Sequence, residues 1–142
     1  MVCLGNICRS PLAQGIFESK VTDSAIVVDS AGTGSYHIGS APDMRSIQVA
    51  QKNGIAIGNQ KARQFSVEDF SQFSLILVMD KSNYADVIAL APNEEARNKV
   101  HLILPNNDSV PDPYYGGIEG FEYCYSLIDE ACDLWLKKIR ND

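Results

Sequence analysis

Several things are missing from this sequence, and each absence narrows the field. No apolar run approaches the roughly 18 residues that cross a bilayer, so no membrane partner is implied. The first residues carry neither the basic stretch nor the apolar centre of a secretory leader. Four cysteines in 142 residues are too few for a disulfide scaffold, so the thiols read as reduced and the chain as cytoplasmic. Cationic side chains are scarce as well, 12 Lys and Arg against 18 Asp and Glu, for a net charge of −6 without a basic stripe. That excludes general binding to nucleic acid and leaves room only for a local positive pocket around a small anion. The two histidines, His37 and His101, belong to no cluster with ligand spacing and read as structural; no metal and no cofactor are implied. Repeats, low-complexity tracts and linkers are also missing, so residues 1–142 read as one domain, with a monomer as the default.

What is present is an alternation. Short apolar runs, "VVD" at 27–29, "LILVM" at 75–79 and "HLIL" at 101–104, read as buried strands. Amphipathic segments lie between them. Ser10-Pro11 predicts a helix start with Ser10 as N-cap, Pro42-Asp43 opens another helix that Gly54 closes, and Ser66 with Asp69 suggests a capping box. The last helix carries Phe121, Cys124, Ile128, Ala131, Trp135 and Ile139 on one face, which places Cys124 in the core; Cys132 reads the same way. Strand–helix alternation predicts an α/β fold, a parallel sheet with helices on both faces and ligands bound at the carboxyl ends of the strands. Cys3, Asp29-Ser30, Asp80 and Asp112 all fall after expected strands. Only two residues precede Cys3, short for a central strand, so the native chain is expected to begin upstream.

The opening "MVCLGNICRSPLAQ" concentrates the chemistry. Cys3 and Arg9 stand at C-x5-R spacing between a strand and a helix start, with Gly5 and Asn6 between them. Such a loop turns backbone N–H groups inward as an anion nest, and the helix N-terminus adds positive potential. Asn6 is among the few non-glycine residues that tolerate a left-handed turn. Arg9 offers a bidentate fork for two phosphate oxygens. The same donors favour the thiolate of Cys3 over its thiol. A Walker-type nucleotide loop is excluded, since no lysine occurs before position 20. Asp112, between Pro111 and Pro113, reads either as a carboxyl on a stiff segment or as a turn residue. Asp80 reads either as a turn residue or as a support for the loop and Arg9.

"VCLGNICRSPLA" resembles the signature of the low-molecular-weight protein tyrosine phosphatases. "DSAGT" at 29–33, "PDMR" at 42–45, "ARQF" at 62–65, "MDKSN" at 79–83 and "DPYYGG" at 112–117 extend the likeness along the chain in order. The resemblance implies a four-stranded parallel sheet, with the phosphate-binding loop between the first strand and first helix, and a metal-free phosphatase working through a phosphocysteine. It implies phosphotyrosine-containing proteins as substrates and inorganic phosphate as product. By that likeness Cys3 is the nucleophile, Arg9 the phosphate clamp, Asp112 the general acid and Ser10 the hydroxyl that stabilises the thiolate. Gly5 belongs to the phosphate-binding loop, Asn6 with Ser30 holds its shape, and Leu4, Ile7, Tyr36 and Tyr114 line the slot for the ring. Cys8 matches a cysteine that pairs reversibly with the nucleophile on oxidation. Asn53 and Gln60 stand where some relatives carry histidines, the second of which supports the loop asparagine. Three other readings compete: a thiol-dependent arsenate reductase, disfavoured because no cysteine lies between 8 and 124; a protein-arginine phosphatase, disfavoured by Ile7; and a silent phosphoprotein-binding module, disfavoured by the complete Cys3, Arg9 and Asp112 set.

Overall fold

The computed structural model describes residues 1–141. Four short parallel strands form the sheet: β1 (Val2–Cys3), β2 (Ala31–Gly32), β3 (Ile76–Val78) and β4 (Val100–Leu102), in the order β2-β1-β3-β4. Six helices accompany them: α1 (Arg9–Lys20), α2 (Met44–Lys52), α3 (Asp69–Gln72), α4 (Lys81–Leu90), α5 (Glu94–Arg97) and α6 (Ile118–Asn141). After β1 the chain crosses to β2 on one side and later returns to β3 on the other. The β1/β3 boundary is therefore the switch point where this class of sheet binds ligands.

Two apolar layers cover the sheet. Leu12, Ile16, Leu77, Met79 and Ile103 join Cys124, Ile128, Cys132 and Leu136 of α6 on one face; Cys124 and Cys132 are free, buried thiols, as expected for packing. Val2, Phe65, Phe70, Ile76, Val78 and Val87 fill the other. The expected stripe on α6 is present: Phe121, Cys124, Ile128 and Ala131 are buried, and Trp135 and Ile139 pack beside them.

Three local expectations are corrected. Residues 27–29 are not a strand; the β1–β2 ladder pairs Val2 with Ala31 and Cys3 with Gly32, and the Asp29 carbonyl accepts from the Met1 amine at 3.0 Å. Asp29 and Ser30 consequently precede β2 rather than follow it. Ser10 is not the N-cap of α1: the helix begins at Arg9 with Cys8 at the cap, and the Ser10 side chain is buried and turned toward Cys3. The box at Ser66 forms by half, since Asp69 Oδ2 accepts from the Ser66 N–H at 2.9 Å while α3 starts only at Asp69. The α2 reading holds, with Asp43 capping the Arg45 N–H and Gly54 following the helix at a φ of 78°.

Candidate active site

The loop between β1 and α1 is built around Asn6, whose φ of 58° is left-handed. Asparagine tolerates that region better than most side chains, and here three bonds hold it there. Its Nδ2 donates to Ser10 Oγ at 2.7 Å and to Ser30 Oγ at 3.0 Å, and its Oδ1 accepts from the Arg63 backbone N–H at 3.0 Å. Ser30 in turn donates to Gln14 Oε1 at 2.7 Å. Gly32 lets the loop lie close: a Cβ there would stand 2.7 Å from Leu4 O and 3.1 Å from Asn6 N, both backbone atoms.

Inside the curl sits Cys3 Sγ, 3.0 Å from Ser10 Oγ and 3.3 Å from the Asn6 N–H. A thiolate can only accept, so in the ionised state the Ser10 hydroxyl is the donor. The N–H groups of Gly5, Ile7 and Cys8 make no hydrogen bond to another described residue, and α1 begins directly after them. Donors without protein partners at a helix N-terminus are what an anion needs.

Arg9 is 2% exposed, yet two acceptors fix its guanidinium: Asp80 Oδ2 at 2.7 Å and the Val110 carbonyl at 2.8 Å. Burial pulls its pKa down, but Cys3, Asp80 and Asp112 outweigh that, and the net direction is up. Asp80 thus fills both readings at once, since its Oδ1 caps α4 through the Asn83 N–H at 2.7 Å. Asp112 is half-exposed; its Oδ2 lies 4.0 Å from Arg9 Nη2, and its Oδ1 accepts from the Tyr114 N–H at 3.1 Å.

Cys3, Arg9 and Asp112 line a cavity of about 440 Å³ together with Leu4, Gly5, Ile7, Cys8, Tyr36 and Tyr114. Leu4, Tyr36 and Tyr114 expose apolar surface at its rim. Of the other residues expected from the sequence, Asn6 and Ser10 bond to Cys3, Asp80 bonds to Arg9, and Ser30 bonds to Asn6 behind the loop. A larger cavity of about 580 Å³ opens near Met1 and Val2, but its charged residues, Asp29, Arg63 and Asp69, are paired with one another. Gln60, where some relatives carry a histidine, donates its Nε2 to the Pro11 carbonyl at 3.1 Å, and Asn53 Nδ2 back-bonds to Val49 O at 2.9 Å. Sequence reasoning missed the backbone of Arg63, the Asp43–Arg45 pair, the Val110 carbonyl and Gln14. His37, read as structural, lines the cavity as well, 6.4 Å from the Tyr114 ring. The motifs "PDMR" and "ARQF" flagged two of these stretches, but nothing in the spacing linked them to Cys3.

The sequence model of the low molecular weight phosphotyrosine protein phosphatase family matches residues 1–142. The low molecular weight phosphotyrosine protein phosphatase of Schizosaccharomyces pombe is 40% identical over 97% of this chain and 94% of its own. Among solved structures, Wzb of Vibrio vulnificus in complex with benzylphosphonate superposes with a TM-score of 0.89 at 37% identity, covering 96% of this chain and 94% of that one. The tyrosine phosphatase Wzb of Escherichia coli K30 in complex with sulphate gives 0.88 at 31% identity, over 97% and 94%. Full-length agreement in sequence and in fold places the chain in the low-molecular-weight phosphotyrosine protein phosphatase family.

Proposed function

We propose that this phosphatase hydrolyses phosphotyrosine in proteins, and small aryl phosphate monoesters, through a phosphocysteine on Cys3. One observation carries the mechanism: Cys3 Sγ lies under the Asn6 N–H and Ser10 Oγ, with Arg9 and Asp112 converging on the same cavity. Relatives that hold benzylphosphonate or sulphate agree with an oxyanion in such a loop.

In the first step the Cys3 thiolate attacks phosphorus in line, and the bond to the phenol oxygen breaks. Arg9 and the loop N–H groups stabilise the three equatorial oxygens. Asp112, protonated, hands its proton to the departing phenolate. In the second step Asp112, now a carboxylate, takes a proton from water as that water attacks the phosphocysteine. Inorganic phosphate leaves, and Ser10 stabilises the returning thiolate. The slot lined by Leu4, Tyr36 and Tyr114 accepts a flat ring. The test is Asp112→Asn: kcat/KM should fall about 10²- to 10⁴-fold with esters of basic phenols. Esters of acidic phenols, which need little protonation, should lose less in kcat/KM. Equal losses for both would remove Asp112 from the acid role.

The reading extends to oxidation. Peroxide converts the Cys3 thiolate to a sulfenic acid, and Cys8 then attacks that sulfur, forming a disulfide and releasing hydroxide. Peptide mapping after peroxide treatment should find Cys3 linked to Cys8; an oxidised enzyme without that link would leave Cys8 as packing.

A further inference from the structure

The segment that carries Asp112 is exposed apart from the buried Pro113, and its own hydrogen bonds are local: Tyr114 N–H to Asp112, and Gly116 N–H to the Pro113 carbonyl at 3.1 Å. Among the hydrogen bonds of the described residues, only those of one side chain reach residues 112–116 from outside. Arg45 Nη1 donates to the Gly116 carbonyl at 2.8 Å and Nη2 to the Tyr114 carbonyl at 3.0 Å. Its Nε and Nη2 also grip both oxygens of Asp43 at 3.0 Å. The guanidinium lies 4.3 Å from the centroid of Phe121, a fully buried ring in the first turn of α6.

The other end of this brace reaches the phosphate loop. The Asp43 N–H donates to the Ile7 carbonyl at 2.8 Å, and Ser46 Oγ donates to the Cys8 carbonyl at 3.1 Å. The first turn of α2 is thus bonded to the loop that holds the nucleophile and to the segment that holds the proton donor.

We infer that Arg45 is a positioning residue that sets the Asp112 carboxyl over the Cys3 loop by clamping the carbonyls of Tyr114 and Gly116. The guanidinium suits the task because it is planar and offers five donors; a lysine in its place would present one point charge to four acceptors. The inference rests on the proposed acid role of Asp112. Loss of the clamp leaves the thiolate, Arg9 and the loop donors in place and moves only the proton.

The test measures kcat/KM for phenyl phosphate and p-nitrophenyl phosphate in wild type, Arg45→Met, Asp112→Asn and the double variant. Methionine keeps the length that covers Phe121 and removes the donors. Arg45→Met should lower kcat/KM for phenyl phosphate by about ten- to a hundredfold, as expected for a displaced catalytic group, and that for the nitrophenyl ester far less. Competitive inhibition by inorganic phosphate should stay as in wild type, and the substitution should cost nothing further in the Asp112→Asn background. Equal loss on both esters, no loss, or loss that multiplies with Asp112→Asn overturns the inference. If Asp112→Asn alone fails to distinguish the esters, the acid assignment falls, and the clamp's role with it. Should Arg45→Met fold poorly, Arg45→Lys is put through the same four comparisons, and the same results support or overturn the clamp.

Discussion

Two segments meet over the cavity, and they are held by opposite means. Residues 3–10 are braced from within and from directly behind: Asn6 spends its side chain on Ser10, Ser30 and Arg63, and Gly32 lets the backbone pack with no room to spare. All but the rim of that loop is buried. Residues 110–117 are anchored firmly only at their start, where the Val110 N–H reaches Met79 O, its carbonyl accepts from Arg9, and Cys124 Sγ donates to Pro111 O at 3.2 Å. Past Pro111 only Pro113 is buried, beside Gly120 of α6; Asp112 faces Arg9 at 4.0 Å, and the hydrogen bonds that reach residues 112–116 from other described residues come from Arg45. The proposed function gives a reason in two tasks. Binding a phosphate demands many donors fixed in advance, whereas moving one proton demands a single carboxyl that can also admit and release a ring.

The contrast is most exposed to failure at the nucleophile. Cys3→Ser should abolish turnover yet leave phosphate binding measurable by calorimetry, because the donors of the loop do not depend on sulfur. A variant that loses turnover and phosphate binding together would show that the thiolate itself organises the loop. Gly32→Ala probes the rigidity of the same segment. Its new methyl would meet Leu4 O and Asn6 N, and overpacking of this kind costs about 1–3 kcal/mol. Phosphate inhibition should weaken by roughly tenfold or more, while the response to leaving group stays as in wild type. An unchanged phosphate affinity would mean that the loop yields easily.

The smallest effect concerns Cys8. Burial first, then the neighbouring Asp43 and Cys3, push its thiol up to about 12, so at neutral pH it stays protonated. Only its thiolate can attack an oxidised Cys3, and that fraction grows about tenfold per pH unit below the thiol's pKa. Disulfide formation after peroxide should therefore quicken steadily from pH 7 to 9, read by quenching with a thiol-alkylating reagent. A rate flat with pH would contradict Cys8 as the attacking thiol.

Much of this was legible in the residues themselves. C-x5-R between a strand and a helix start is a local feature, and local spacing suffices to predict an anion loop. The stripe on α6 was equally plain because a 24-residue helix repeats its pattern many times. Less was visible where partners are distant in sequence. Arg45 and Gly116 are 71 positions apart, and Arg63 and Asn6 are 57 apart. Their contacts exist only once the sheet has brought β1, α2 and α6 together, and Arg63 contributes a backbone N–H that any residue could supply. The strand expected at 27–29 lies two residues on, at Ala31–Gly32, because an apolar run shows a preference for burial and not the register of a ladder.

Everything proposed for this site requires that phosphorus pass through Cys3. In Asp112→Asn, Cys3 should still attack the phosphorus of p-nitrophenyl phosphate, whose leaving group needs no proton, but the variant lacks the base that activates water in the second step. Acid-quenched samples of this variant, digested and analysed by mass spectrometry under conditions that keep thiophosphate bonds, should carry one phosphate on the peptide that contains Cys3. Turnover of the ester with no protein-bound phosphate, or with phosphate on any other residue, would contradict a phosphocysteine route.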